Sequence, residues 1–147
     1  MSPGSGWAGT PRQSIEAECA RRGRSAVVTG CVALLHGDDS DNDLIMTLGG
    51  SPARRMISGE SRADAGAWCR VWATPGLLWA WEDSATPALR AALSDEAWRV
   101  REMAAKVVAR HQVSAAFGDV VALRRDPVRR VRVAAQRAVE RLTASGL

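Results

Sequence analysis

Two stretches decide how this chain folds: Asp95–Val108, DEAWRVREMAAKVV, and Asp126–Val139, DPVRRVRVAAQRAV. Laid over one another at an offset of 31 residues, they bring Asp95 onto Asp126, Arg101 onto Arg132 and Ala104 onto Ala135. A third stretch, Asp64–Leu78, DAGAWCRVWATPGLL, joins at the same offset through Asp64, Arg70 and Ala73. Apolar positions stack as well, Cys69 with Val100 and Val131, and Leu77 with Val108 and Val139. Within each copy the apolar residues recur at three- and four-residue spacing, which places them on one side of a helix. Val100, Ala104, Val107 and His111 form one such stripe, and Val128, Val131, Ala135, Ala138 and Leu142 the next. A repeat of this period is the mark of a helical array, because a single unit cannot bury its apolar face alone and stacks on its neighbours.

Each copy has room for a first helix. Thr86 as N-cap and Pro87 in the first helical position open TPALRAAL, with Leu89, Ala92 and Leu93 for the core. Ser114–Arg124 serves the copy at Asp126 through Phe117, Val120, Val121 and Leu123, and Ala53–Gly59 precedes Asp64. In the first copy Thr74, Pro75 and Gly76 are expected to end or kink the second helix near Ala73, since proline lacks a donor and clashes with the preceding turn. Upstream, the Gly-, Pro- and Ser-rich residues 1–12 read as a disordered N-terminal arm. Residues 13–52 read as an N-terminal helical cap or degenerate repeat, with helices over Gln13–Arg22, Ser25–Leu35 and Leu44–Leu48. Gly37–Asp43, GDDSDND, and the Gly49, Gly50, Pro52 cluster break that pattern, and Ala53–Ile57 is helical again. No strand-like alternation occurs, so the expectation is an all-α chain with an array over residues 53–147.

These residues resemble the HEAT repeat family, and particularly its short bacterial forms related to the phycobilisome-lyase HEAT-like repeats. The features that carry the resemblance are an Asp between the two helices, an Arg six residues later and an Ala three beyond it. Asp64, Arg70 and Ala73 meet the pattern, as do Asp95, Arg101 and Ala104, and Asp126, Arg132 and Ala135. The resemblance implies an α-solenoid of about three helical hairpins. It also implies a structural ladder of ion pairs through Asp64, Arg70, Asp95, Arg101, Asp126 and Arg132, for which a planar guanidinium is suited.

Little in the chain points to catalysis. His36 and His111 lack a nucleophile or carboxylate at a catalytic spacing, and there is no phosphate loop or nucleophile elbow. The acidic tract invites a calcium loop starting at Asp39, but Leu44 then stands where the glycine belongs and Gly50 where the closing glutamate belongs. A solvated turn with capping aspartates fits better. Cys19, Cys31 and Cys69 are scattered and odd in number, which predicts free thiols and no zinc site. No cofactor, metal or small-molecule substrate is expected. The absence of an eighteen-residue apolar run or a secretory start predicts a soluble, cytoplasmic protein that does not enter membranes.

The net charge of +4 is unevenly spread: residues 1–85 carry eight Arg against ten acids, and residues 86–147 twelve Arg or Lys against six. In the repeat register Arg99, Lys106 and Arg110 lie on one side of their helix, and adding 31 gives Arg130, Arg137 and Arg141. Subtracting 31 gives Trp68, Pro75 and Trp79. The HEAT resemblance places such rows on a concave surface, where they suit an acidic protein partner. The alternative is nucleic acid, through phosphate contacts and stacked bases, with a remote likeness to alkylpurine DNA glycosylases. The blander possibility is that the arginines form a solvated face and the tryptophans fill the core. The expected function is a non-catalytic scaffold module.

Overall fold

The computed structural model describes residues 10–38, 40–57 and 65–145. Eight α-helices and two short 3-10 turns account for nearly all of them, and no strand occurs among the described residues. The chain divides into two compact units, Met1–Glu82 and Asp83–Leu147.

The first unit holds α1 (Pro11–Arg22), α2 (Arg24–Leu35), α3 (Asn42–Ile57) and α4 (Ala65–Trp79). A capping box starts α1: the Gln13 N–H donates to Thr10 Oγ1 at 3.2 Å, and the Thr10 N–H donates to Gln13 Oε1 at 2.9 Å. With Pro11 at the first position, the helix begins two residues before the sequence expectation. Most of the expected N-terminal arm, residues 1–9, lies outside the described residues. Gly23, at φ 94°, turns the chain directly into α2, a backbone conformation that a side chain would strain. Ile15, Val27, Val28, Cys31, Leu34, Leu44, Ile45 and Leu77 are fully buried. Charge closes the corner where α1, α2 and α3 meet: Arg22 donates to Glu18 at 2.6 Å and to Asp41 at 2.8 Å. Asp41 also accepts the Leu44 N–H at 3.0 Å, tying off the start of α3.

Two departures from the sequence expectation arise here. The pieces around Leu44–Leu48 and Ala53–Ile57 form one element, α3, kinked at Gly50, whose φ of 62° and ψ of −142° lie outside the helical region. Pro75 does not end α4, which continues to Trp79. Thr74 is buried and donates its hydroxyl to the Arg70 carbonyl at 2.7 Å, and Gly76 lets the helix press onto α2, where an added Cβ would meet Cys31 Sγ at 2.5 Å. Packing of α4 on α2 and α3 outweighs the lost backbone bond.

The second unit repeats itself. Asp83–Ala85 and Ser114–Ala116 are 3-10 turns, followed by α5 (Thr86–Ala92) and α7 (Phe117–Leu123), and then by α6 (Trp98–His111) and α8 (Arg129–Ala144). Every element start recurs after 31 residues. Val100, Ala104, Val107 and Val108 of α6 are buried, as are Val131, Ala135, Ala138 and Leu142 of α8, and α8 packs along α6. His111 at the end of the first stripe is half-buried, and Val128 at the head of the second is likewise intermediate. Thr86 is not the cap it was expected to be. Ala85 holds that position with no side-chain bond, because the 3-10 turn feeds straight into α5.

Candidate binding face

The aspartate that opens each second helix works locally first. Asp95 accepts the Ala97 N–H at 2.8 Å and Asp126 accepts the Val128 N–H at 2.9 Å, so each carboxylate secures the turn ahead of its helix. The arginine six residues on returns to the same turn. Arg101 Nη1 donates to the carbonyls of Asp95 and Glu96 at 2.8 and 3.1 Å, and Arg132 Nη1 to those of Asp126 and Pro127 at 2.8 and 3.1 Å. Arg101 then reaches across to the next copy, placing Nε 2.7 Å from Asp126 Oδ2 and Nη2 3.2 Å from Oδ1. This two-pronged pair is well enclosed, its side chains 14% and 5% exposed. Burial pushes the Asp126 carboxyl up, but the Arg101 donors and the Val128 N–H outweigh it and hold the group below the usual carboxylate range. Of the other expected ladder residues, Asp64 lies outside the described residues and Arg70 sits half-buried on α4.

A groove of about 330 Å³ runs between α6 and α8. Its apolar lining is Ala109, Val133 and Ala134, and its cationic lining is Lys106, Arg129, Arg130 and Arg137. Glu102 lies in the same groove, 8% exposed, and takes Arg130 at 3.0 Å and Lys106 at 3.6 Å. Two of the six expected basic residues therefore share one internal counter-ion. Arg137 and Arg141 are exposed and make no ion pair with any described residue. Arg99 stacks its guanidinium 4.6 Å from the centre of the Trp98 ring, and Arg130 reaches the same ring at 5.3 Å. Arg110 is exposed at the end of α6.

The expected tryptophans belong to the first unit. Trp68 is 43% exposed and stacks on Trp72 with centroids 5.9 Å apart, while Trp72 lies against Gly49, where an added Cβ would meet the ring at 2.8 Å. Trp79 is half-buried under the Arg12 guanidinium at 5.0 Å. Neither ring is part of the core.

Sequence reasoning missed Trp98, Glu102, Arg129 and Val133. In the repeat register Trp98 matches Arg129 and Glu102 matches Val133, so periodicity gives no signal for them. The three thiols are free, and burial pushes that of Cys31 up to about 12, which makes it an inert packing group. In the acidic tract, Asp38 accepts the Ser40 hydroxyl and Asp41 pairs with Arg22, and no group of three potential metal ligands occurs among the described residues. No described helix is long and apolar enough to cross a membrane. No protein-family model, curated protein or solved structure matches the chain.

Proposed function

We propose that this chain is a HEAT-type α-solenoid that acts as a non-catalytic interaction module, binding an acidic protein partner on the basic face of α6 and α8. The observation that carries this reading is the groove between the two helices, lined by Ala109, Val133 and Ala134 together with Lys106, Arg129, Arg130 and Arg137. A lining that mixes apolar and cationic side chains suits a peptide that alternates acidic and apolar side chains, because desolvation of the apolar part adds to charge attraction. The 31-residue recurrence and the Arg101–Asp126 pair support the solenoid part of the reading. Glu102 orders Arg130 and Lys106 before any partner arrives, which reduces the entropic cost of binding through them.

The test compares wild type with Arg130→Glu/Arg137→Glu in fluorescence anisotropy against a labelled acidic-apolar peptide, with circular dichroism as the fold control. Loss of at least tenfold in affinity with helicity unchanged is the expected result, and equal affinity would remove the groove from consideration. The alternative reading, nucleic acid, is favoured by Trp98 with its flanking Arg99 and Arg130 guanidinium groups. A labelled single-stranded oligonucleotide in the same assay discriminates it.

A further inference from the structure

The two arginines of the repeated turn differ in one respect. Both use Nη1 to hold the carbonyls of their own turn at 2.8 and 3.1 Å. Arg101 spends its second edge, Nε and Nη2, on the carboxylate of Asp126. The same edge of Arg132 meets no carboxylate among the described residues. Arg132 is already fixed by its own turn, so this edge is held in a defined direction instead of sweeping through solvent.

The surroundings repeat the logic. Arg132 lines a second groove of about 460 Å³ on α8, together with Arg124, Arg129, Val133, Arg137 and Glu140. In the repeat register the α8 residues 129, 133, 137 and 140 correspond to 98, 102, 106 and 109 of α6. Three of these, Glu102, Lys106 and Ala109, line the α6 side of the contact with α8. The groove on α8 is therefore the counterpart of a face that one repeat earlier receives a helix, α8, whose opening turn carries an aspartate. It differs in composition: Ala105 and Ala109 are buried on α6, whereas their counterparts Gln136 and Glu140 are exposed, and Val133 is 50% exposed. Four arginines against one glutamate leave the groove cationic, with one apolar side chain in it.

We infer that Arg132 and the α8 groove form a docking site for an aspartate-led helical turn of a partner protein, the carboxylate seated on Nε and Nη2 and an apolar side chain on Val133. The occupant is a carboxylate carried on a turn because that is what the equivalent edge of Arg101 holds, in a turn whose aspartate also accepts a backbone N–H two residues on. This site shares Arg129, Val133 and Arg137 with the α6–α8 groove but is centred on Arg132, which does not line that groove, so the response of Arg132 tells the two apart.

The test is arginine Nε–Hε nuclear magnetic resonance on the full chain, titrated at low salt with a capped pentapeptide, Ala-Asp-Pro-Val-Ala, and with its Asn counterpart. The expected result is a saturable shift of the Arg132 signal by the Asp peptide, about tenfold weaker with the Asn peptide, accompanied by a shift of the neighbouring Arg129 signal that is lost in Arg132→Lys, which keeps the charge but not the fork. The Arg101 signal is the internal control: it stays in place in every titration and reports that Arg132→Lys is folded. Movement of Arg130 and Arg137 without Arg132 would overturn the inference and leave the α6–α8 groove standing. Equal response to the Asp and Asn peptides, or equal response of every exposed arginine, would also overturn it.

Discussion

At the scale of single residues, the enclosed pair of Arg101 and Asp126 separates from the pair of Arg90 and Asp119, although their shortest distances are 2.7 and 2.8 Å. What differs is exposure, 14% and 5% for the side chains of the first pair against 53% and 30% for the second. Replacing Arg101 with Met leaves a buried carboxylate and two turn carbonyls without their donor, and should cost about 3 kcal/mol in urea unfolding. The Arg90→Met substitution should leave the urea midpoint where it is, since water already solvates both partners. The same carboxylate shapes the pH response. Asp126, Asp41 and Glu18 are all held below their ordinary values, Asp41 mainly by the hydrogen bond from Arg22, and Glu18 by Arg21 and Arg22 acting against burial. A carboxyl with a depressed folded pKa binds fewer protons folded than unfolded, so its stabilisation is present above the unfolded value near 4 and is lost as pH falls through the folded one. Melting temperature should therefore be level from neutral pH down to about 5 and fall below about 4. In Arg101→Met that acid limb should be shallower, because Asp126 then keeps only the burial that raises its pKa and weaker local donors. An unchanged limb would remove Asp126 from this account.

At the scale of elements, two helical glycines make opposite predictions. A Cβ on Gly76 would meet Cys31 Sγ at 2.5 Å and Leu48 Cδ2 at 2.9 Å, both core groups, so Gly76→Ala should destabilise by about 1–3 kcal/mol. A Cβ on Gly118 in α7 would meet nothing within 4 Å, and Gly118→Ala should stabilise by ~0.5 kcal/mol through reduced unfolded-state entropy. Thermal unfolding of the two variants side by side checks both signs. Close packing at Gly76 also explains why α4 was misjudged from sequence. Proline and glycine together read as a break, but the helix is kept by burial against α2 and α3, which no local pattern records. The all-helical character and the 31-residue period were legible, because both are written in spacing, and the element starts of the second unit follow that period. The HEAT resemblance implies Asp–Arg pairs linking adjacent copies, and Arg101 bonds the Asp126 carboxylate of the next copy; its hold on the carbonyls of its own turn is visible only in three dimensions. Glu102 could not be foreseen: its role depends on Arg130 arriving from another helix, and the matching position holds valine.

At the scale of the whole molecule, the charge asymmetry decides how binding should respond to salt. Residues 86–147 carry twelve basic groups, but Glu102, Asp119 and Asp126 engage Lys106, Arg130, Arg90 and Arg101 internally. The cationic field offered to a partner is consequently smaller than the composition suggests, and rests on residues such as Arg129, Arg137 and Arg141. A nucleic acid bound by such a field gains its affinity from released counter-ions, and log K should fall against log salt with a slope of about −0.7 for each phosphate neutralised on a single strand. A peptide seated on Ala109, Val133 and Ala134 gains part of its affinity from apolar burial, which salt does not screen. Measured on wild type between about 50 and 200 mM salt, the acidic-apolar peptide should lose less affinity than a single-stranded oligonucleotide of similar starting strength. Replacing Val133 with Asp should then weaken the peptide without changing the oligonucleotide slope. A peptide slope as steep as the oligonucleotide slope, unaffected at Val133, would mean that charge alone does the binding and that the apolar lining of the groove contributes nothing to recognition.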